Sequence, residues 1–225
     1  MSLNKEIQNT INNFRENFPP ELTALIEQGA GEISAMEILE VALKKDDKAP
    51  DFTLEDRKGQ SHSLSSYLSN GPLVITFYRG AWCPYCNLQL AAYNVHLDKI
   101  KAAGGTLIAV TPETPEGIPT FLDSGVPDEM KASVISDTDF DILHDPDNKL
   151  GKEFGLEFKL PEAHIKLFEL MNFDIEKANG NANYTFSDPA TYIIGQDGLI
   201  KWAFVPNNYR KRANPEEIIE QLKSI

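Results

Sequence analysis

Pro72-Leu-Val-Ile-Thr-Phe-Tyr-Arg79-Gly-Ala-Trp-Cys83-Pro-Tyr-Cys86 is the stretch that decides the fold. Leu73 to Tyr78 is a nearly continuous apolar run, the pattern of a strand buried on both faces. Cys83 and Cys86 follow at once, and they are the only two cysteines in 225 residues. From Cys83 to about Ala102, the residues Leu90, Tyr93, Leu97 and Ile100 recur on one face of a helix. A C-x-x-C pair where a strand ends and a helix begins is the signature of a thioredoxin-like redox site.

The chemistry follows from that placement. The thiolate is the reactive form of cysteine, and a helix N-terminus favours it through unpaired N–H groups and a partial positive charge. Cys83 falls at that end, with Pro84 just inside the helix, where a missing N–H costs little. Cys83 is therefore the expected attacking thiol. Cys86, one turn on and more sheltered, is the expected resolving thiol. Arg79, four residues before Cys83, is placed to stabilise a thiolate or hold a peroxide or carboxylate oxygen; the alternative is a surface arginine on a loop. Trp82 and Tyr85 are candidate walls of the site, and simple packing explains them as well. Pro189 precedes Ala190-Thr191-Tyr-Ile-Ile, and a cis bond is expected there because a thioredoxin-like fold turns that loop toward the cysteines. The alternative is a trans proline starting a strand. Pro189 and Thr191 complete the set of candidate substrate contacts.

Two readings compete at the cysteine pair. A zinc site needs two further ligands from His62, His96, His144 and His164, none of which is paired at metal-like spacing. No metal or other cofactor is expected. Inert buried cysteines are the other reading, since free cysteine is often a core residue.

Working outward, Thr106 to Val110 is a second buried strand, ended upstream by Gly104-Gly105. Ser133 to Ser136 reads as a short strand and Pro115 to Leu122 as a helix. Asp145-Pro146 opens another helix. Thr191 to Ile194, the Gln196-Asp-Gly198 turn and Leu199 to Val205 form a hairpin, and Pro215 to Leu222 a closing helix. Ala49 to Leu54, the Asp56–Gly59 turn and His62 to Leu64 make a first hairpin. Alternating strands and helices indicate an α/β domain with a thioredoxin-like fold over residues 48–225. Residues 1–47 form a helical N-terminal extension: Ile7, Ile11 and Phe14 share a face, Pro19-Pro20 interrupts, and Gly29 to Gly31 breaks the pattern again. Met36, Leu39 and Leu43 supply a last apolar set. Residues 156–188 are less regular, with an amphipathic helix over Pro161 to Met171.

Composition sets limits on partners. Thirty-four acidic residues against 21 Lys and Arg leave a net charge of −13, which repels nucleic acid and anionic membranes. Arg210-Lys211-Arg212 is too short to reverse this and reads as a solvated turn or a local anion contact. No stretch approaches the ~20 apolar residues of a membrane span, and the N-terminus lacks a signal-peptide core. The expected location is cytoplasmic, where structural disulfides are rare and a lone cysteine pair is catalytic or metal-binding.

Residues 73–90 resemble the peroxiredoxin-like branch of the alkyl hydroperoxide reductase/thiol-specific antioxidant (AhpC/TSA) family. The resemblance continues through Ala49 to Leu54, Ser136-Asp137, Ala190 to Ile194 and Asn208 to Ile219. It implies a thioredoxin fold, reduction of hydrogen peroxide or organic hydroperoxides, and recycling by thioredoxin or a similar dithiol. It maps the peroxidatic cysteine onto Cys83. Two departures stand out. Typical members carry Thr or Ser three residues before that cysteine, where this chain has Gly80. They carry an arginine at the start of the late strand, about where this chain has Pro189. Arg79, or Arg212 if the chain folds back, is the expected substitute for the lost charge. A thiol–disulfide oxidoreductase acting on protein disulfides is the alternative activity, favoured by C-P-Y-C and Pro189. A redox-regulated binding protein using the 1–45 arm is a third. The arm also leaves room for a homodimer.

Overall fold

The computed structural model describes residues 2–225. Three helices come first: α1 (Leu3–Asn17), α2 (Pro20–Ser34) and α3 (Ile38–Val41). Then follow β1 (Thr53–Asp56), β2 (Ser61–Ser63), α4 (Leu64–Leu68), β3 (Leu73–Phe77), α5 (Pro84–Val95), α6 (Leu97–Ala102), β4 (Thr106–Thr111), α7 (Gly117–Leu122), α8 (Asp128–Ala132) and β5 (Asp141–His144). A 3-10 turn (Pro146–Asn148) leads to α9 (Lys149–Glu153), β6 (Glu157–Lys159), α10 (Glu162–Leu170), α11 (Ile175–Asn179), β7 (Thr185–Ser187), β8 (Thr191–Ile194), β9 (Ile200–Phe204) and α12 (Pro215–Leu222).

Seven strands form one mixed sheet in the order β2-β1-β5-β4-β3-β8-β9. β3 lies near its centre, parallel to β4 and antiparallel to β8. All five of its residues are buried, which explains why it reads as a run rather than an alternation. The sheet flanked by helices is a thioredoxin-like fold with an N-terminal helical extension, and β3 delivers Arg79 and the cysteines to one end of the sheet.

The first hairpin turns where Asp56 Oδ1 accepts from the N–H groups of Lys58 and Gln60 (2.8 and 2.9 Å). The last hairpin turns at Gly198, whose φ of +77° a residue with a Cβ rarely adopts. Asp145 opens the 3-10 turn and α9 as expected, its two oxygens accepting from the N–H groups of Leu150 and Gly151 (2.9 and 3.0 Å).

Five expectations need correction. Ser133 to Ser136 is not a strand; the edge of β4 is taken by Asp141–His144, whose Ile142 and Leu143 are buried against the sheet, whereas Val134 and Ile135 are only partly buried. The helix after Cys83 breaks at His96, so it is two helices, α5 and α6. Gly29 to Gly31 does not interrupt α2. A Cβ on Gly29 would lie 2.4 Å from the His164 ring, so this glycine lets α2 and α10 approach closely. Leu39 is exposed, and Ile38 enters the core in its place. The Asp188–Pro189 bond is trans, because no peptide bond among the described residues is cis. Pro189 stands just ahead of β8, outside the strand itself, where a trans proline removes no donor from the ladder.

Residues 156–188 form a small unit of their own, a two-stranded antiparallel sheet of β6 and β7 joined by α10 and α11. The extension packs on its own domain. Ile7, Ile11 and Phe14 are buried as their spacing implies, and the Phe14 ring lies 6.4 Å from that of Tyr85 in α5. Glu27 of α2 accepts paired bonds from Arg210 (3.0 Å each) and from Arg15 (3.1 Å each). Asn4 of α1 binds the backbone of Arg212 at both ends: its Oδ1 accepts from the N–H (3.0 Å) and its Nδ2 donates to the C=O (2.8 Å). The arm therefore fastens the segment 208–212 onto the cysteine site. Among the described residues, no helix is long and apolar enough to cross a membrane.

Candidate active site

The loop from Arg79 to Cys83 is held by side chains at both polar atoms of one residue. Ala81 N–H donates to Glu113 Oε1 (2.9 Å), and Ala81 C=O accepts from Asn87 Nδ2 (2.7 Å). Gly80 has φ +141°, and a Cβ there would meet the Trp82 indole at 2.5 Å. That close approach accounts for the glycine three residues before Cys83.

Cys83 is the N-cap of α5, and its carbonyl accepts from the N–H groups of Cys86 (3.0 Å) and Asn87 (3.1 Å). Pro84 occupies the first helical position, where an N–H would lack an intrahelical acceptor anyway. Both cysteines are free thiols without exposed surface. The expectation that Cys83 is the more exposed of the pair is therefore not met.

Each sulfur has its own guanidinium. Arg79 Nη2 donates to Cys83 Sγ at 3.2 Å, and Arg212 Nη2 donates to Cys86 Sγ at 3.3 Å. Arg79 is buried rather than a surface residue. Its guanidinium carbon stacks 4.0 Å from the centre of the Tyr209 ring and 4.8 Å from that of Trp82, a cation–π arrangement that offsets part of its desolvation. Arg212 is buried too, which overturns the solvated-turn reading for this member of the 210–212 cluster. Its Nε donates to Gln89 Oε1 (2.7 Å), and its Nη1 to the carbonyls of Tyr209 and Lys211. The fold-back anticipated for Arg212 occurs: its hydrogen bond goes to Cys86, and its charge also reaches Cys83.

These charges separate the two thiols. Burial pushes the Cys83 thiol up. The hydrogen bond from Cys86 and the Arg79 and Arg212 guanidiniums outweigh burial and hold Cys83 well below the ordinary thiol range. Burial and the neighbouring Cys83 charge push Cys86 well above it. One sulfur is thus set as a thiolate and the other as a thiol that donates to it.

The remaining candidates occupy distinct places. Trp82 is buried edge-on between Phe168 and Phe186 (5.0 and 5.4 Å between ring centres). Tyr85 lies under the arm, near Phe14 and Tyr209. Arg79, Trp82 and Tyr85 border a narrow apolar cavity of about 50 Å³, closed by Phe14, Ile26 and Tyr209. Pro189 and Thr191 do not line it. Thr191 joins a buried hydroxyl network instead: its Oγ1 lies 3.0 Å from Thr76 Oγ1 and 3.2 Å from the Tyr93 hydroxyl. Gln89 Nε2 donates to Thr76 Oγ1 and to the Tyr93 hydroxyl (2.9 and 3.0 Å), which fixes the amide that receives Arg212. His62, His96 and His144 are not gathered at the cysteines. His164 lines the apolar cavity with a ring pushed down to about 4 by burial and the Arg79 charge, and so stays neutral.

Tyr209, Gln89, Asp188 and Glu113 were not legible as site residues. Glu113 carried one signal, an acid two residues past a buried strand in Thr111-Pro-Glu-Thr-Pro. Asp188 is buried with both carboxylate oxygens unpaired. Burial pushes it up to about 6 against the pull of Arg212 and Arg79.

Comparison with known proteins places these residues among relatives. The model of the AhpC/TSA family matches residues 46–203. A peroxiredoxin-type protein of Mycobacterium tuberculosis is 32% identical over 97 residues, 43% of this chain and 59% of the relative. Peroxiredoxin Q, chloroplastic, of Oryza sativa subsp. japonica is 31% identical over 183 residues, 81% of this chain and 68% of the relative. The chain thus spans well under two thirds of the mycobacterial protein it matches. The crystal structure of peroxidoxin BcpB from Mycobacterium tuberculosis superposes with a TM-score of 0.56 at 18% identity, covering 81% of this chain and 98% of that one. At that identity the likeness speaks to the fold. The family match ends before Tyr209 and Arg212 and begins after the three helices of the arm, so part of the site's wall and the cation at Cys86 lie outside it.

Proposed function

Because the chain belongs to the AhpC/TSA family, we propose that it is a thiol-dependent peroxidase in which Cys83 attacks and Cys86 resolves. The observation that carries this reading is the Arg79 Nη2 contact to Cys83 Sγ at 3.2 Å, made at a helix N-terminus in a site sealed from water. The Cys83 thiolate attacks one oxygen of ROOH, the O–O bond breaks, and Cys83 becomes a sulfenic acid while RO⁻ takes up a proton and leaves as ROH. Arg79 stays on the sulfur and the developing negative charge, where a preorganised donor lowers the barrier most. Cys86 then condenses with the sulfenic acid, giving the Cys83–Cys86 disulfide and water. A thioredoxin-like dithiol returns both thiols by exchange.

Hydrogen peroxide or an organic hydroperoxide is the substrate in this reading. The sealed thiols favour a small first substrate over a protein disulfide, whose sulfur would have to touch Cys83. The proposal also assigns residues 48–225 as the catalytic domain and 1–47 as its arm, and places the protein in the cytoplasm, with a second copy of the chain as a further candidate partner.

The Cys86→Ser variant tests the order of events. One equivalent of hydrogen peroxide is expected to leave a sulfenic acid on Cys83, trapped by dimedone and seen by mass spectrometry, with no intramolecular disulfide. Dimedone adduct on wild type but none on this variant would mean that Cys83 is not the first thiol oxidised.

A further inference from the structure

A second buried acid sits beside the Cys83 loop, and neither bond-forming step at sulfur accounts for it. Glu113 follows β4 and is buried, with its side chain reaching into the 79–82 loop. Its Oε1 accepts the Ala81 N–H, two residues from Cys83. Its Oε2 has no hydrogen-bond partner, and the nearest cation, Arg57 Nη2 from the β1–β2 turn, is 3.8 Å away. The same side chain borders a cavity of about 210 Å³ on its other side, which it shares with Arg57, Glu55, Asp56 and His144. Glu113 therefore stands between the Cys83 loop and a space large enough for several waters.

We propose that Glu113 stores a proton while Cys83 is a thiolate and gives it up when Cys83 loses that charge, so that the buried site keeps a constant charge through oxidation. The inference rests on the two thiol steps described above. In the reduced site, the Cys83 thiolate already neutralises part of the charge of Arg79 and Arg212, and a second anion nearby is disfavoured. Oxidation removes the thiolate while both guanidiniums stay, so a negative charge on Glu113 becomes favourable. The balance is complete: Cys83 thiolate, Cys86 thiol, Glu113 acid and ROOH give the disulfide, ROH, water and the Glu113 carboxylate. The disulfide takes the two electrons' worth of oxidation, and the stored proton meets the hydroxide that would otherwise be released. Without the store, that hydroxide takes its proton from solvent.

The surroundings of Glu113 favour this exchange. Burial first, and the Cys83 charge with it, raise its carboxyl to about 7 against the pull of the Ala81 N–H and Arg57. Tyr78 is neutral in this range, its hydroxyl pushed up chiefly by burial. Glu55, Asp56 and His144 face Glu113 across the cavity, and Arg57 is the cation among its neighbours that draws its carboxyl down. Loss of the Cys83 charge therefore lowers the Glu113 carboxyl from a value that lies near neutral.

Proton uptake on oxidation tests this directly. The fully reduced protein is mixed with one equivalent of hydrogen peroxide in weak buffer containing a pH indicator, and thiols are counted in the same samples. At about pH 6.5 the wild type is expected to take up clearly less than one proton per disulfide, rising to about one near pH 9, where Glu113 is ionised in both states. Glu113→Gln keeps an acceptor for the Ala81 N–H and is expected to take up about one proton at both pH values. Wild-type uptake of about one proton at both pH values overturns the proposal. So does loss of the pH dependence in Asp188→Asn together with its survival in Glu113→Gln, which would assign the store to the other buried acid. Failure of the thiol count to show a disulfide defeats the thiol reading as well; a normal disulfide with flat proton uptake defeats only the proton store. Should Glu113→Gln not fold, the wild type and Asp188→Asn still decide.

Discussion

Arg79→Ala is expected to slow the reaction of Cys83 with hydrogen peroxide at neutral pH by about 10²- to 10³-fold, the cost of removing one preorganised donor from a developing charge. Arg79 is the only cation bonded to Cys83 Sγ among the described residues. Its loss acts twice. The thiolate becomes a smaller fraction of Cys83 at neutral pH, because burial, the largest influence on this thiol, then works against fewer opposing charges. The remaining thiolate also lacks a donor for the departing oxygen. The sign with pH follows. A thiol held below its ordinary range is ionised above its lowered pKa, so the wild-type rate falls only at low pH. In Arg79→Ala that fall moves to higher pH. Peroxide kinetics as a function of pH measure both parts, and a variant reacting like wild type at every pH would remove Arg79 from the mechanism.

Arg212→Ala is expected to cost stability as well as resolution. The side chain is buried and satisfies Cys86 Sγ, Gln89 Oε1 and two backbone carbonyls at once. Truncation leaves those acceptors unpaired around a large void, and it removes one of the two positive charges that offset the burial of the Asp188 carboxyl. Breaking one side of a buried charged cluster typically costs about 3–5 kcal/mol. Chemical denaturation should show a loss of that order, and a loss under about 1 kcal/mol would mean the site relaxes around the gap. In the folded fraction, sulfenic acid should persist longer before the disulfide forms, because the Cys86 thiol loses the cation that favours its ionised form.

The sequence carried the fold through a few strong local signals. A buried strand, a glycine, a C-x-x-C pair and a proline at a helix start occupy consecutive positions, and each restricts the same junction. Arg79 was legible because it lies four residues from Cys83 in that junction. Arg212 was legible as a conditional substitute for the lost charge, but its partner was not, because its contact to Cys86 spans 126 positions and depends on the arm holding the segment in place. β6 and β7 have three residues each, too few for a period to register, so the unit over 156–188 looked irregular. Gly29 looked like a break because its reason for being glycine, the His164 ring, comes from a helix far along the chain. Fold context alone suggests a cis bond at Pro189, whereas the residue stands just ahead of β8, where a trans proline is accommodated. The apolar cavity beside Arg79 and Tyr85 was hidden for the same reason as the Arg212 contact: its walls come from the arm, α10 and Tyr209, far apart along the chain.

Stopped-flow oxidation of the fully reduced protein by hydrogen peroxide and by an organic hydroperoxide, followed through Trp82 and Trp202 fluorescence, tests the central claim most directly. Trp82 stacks on the arginine that holds Cys83, so it should report the first oxidation. A rate orders of magnitude above that of a free thiolate, abolished in Cys83→Ser, is the expected result. A rate no faster than that of a simple thiol would contradict the peroxidase reading and leave the pair as a disulfide-exchange site.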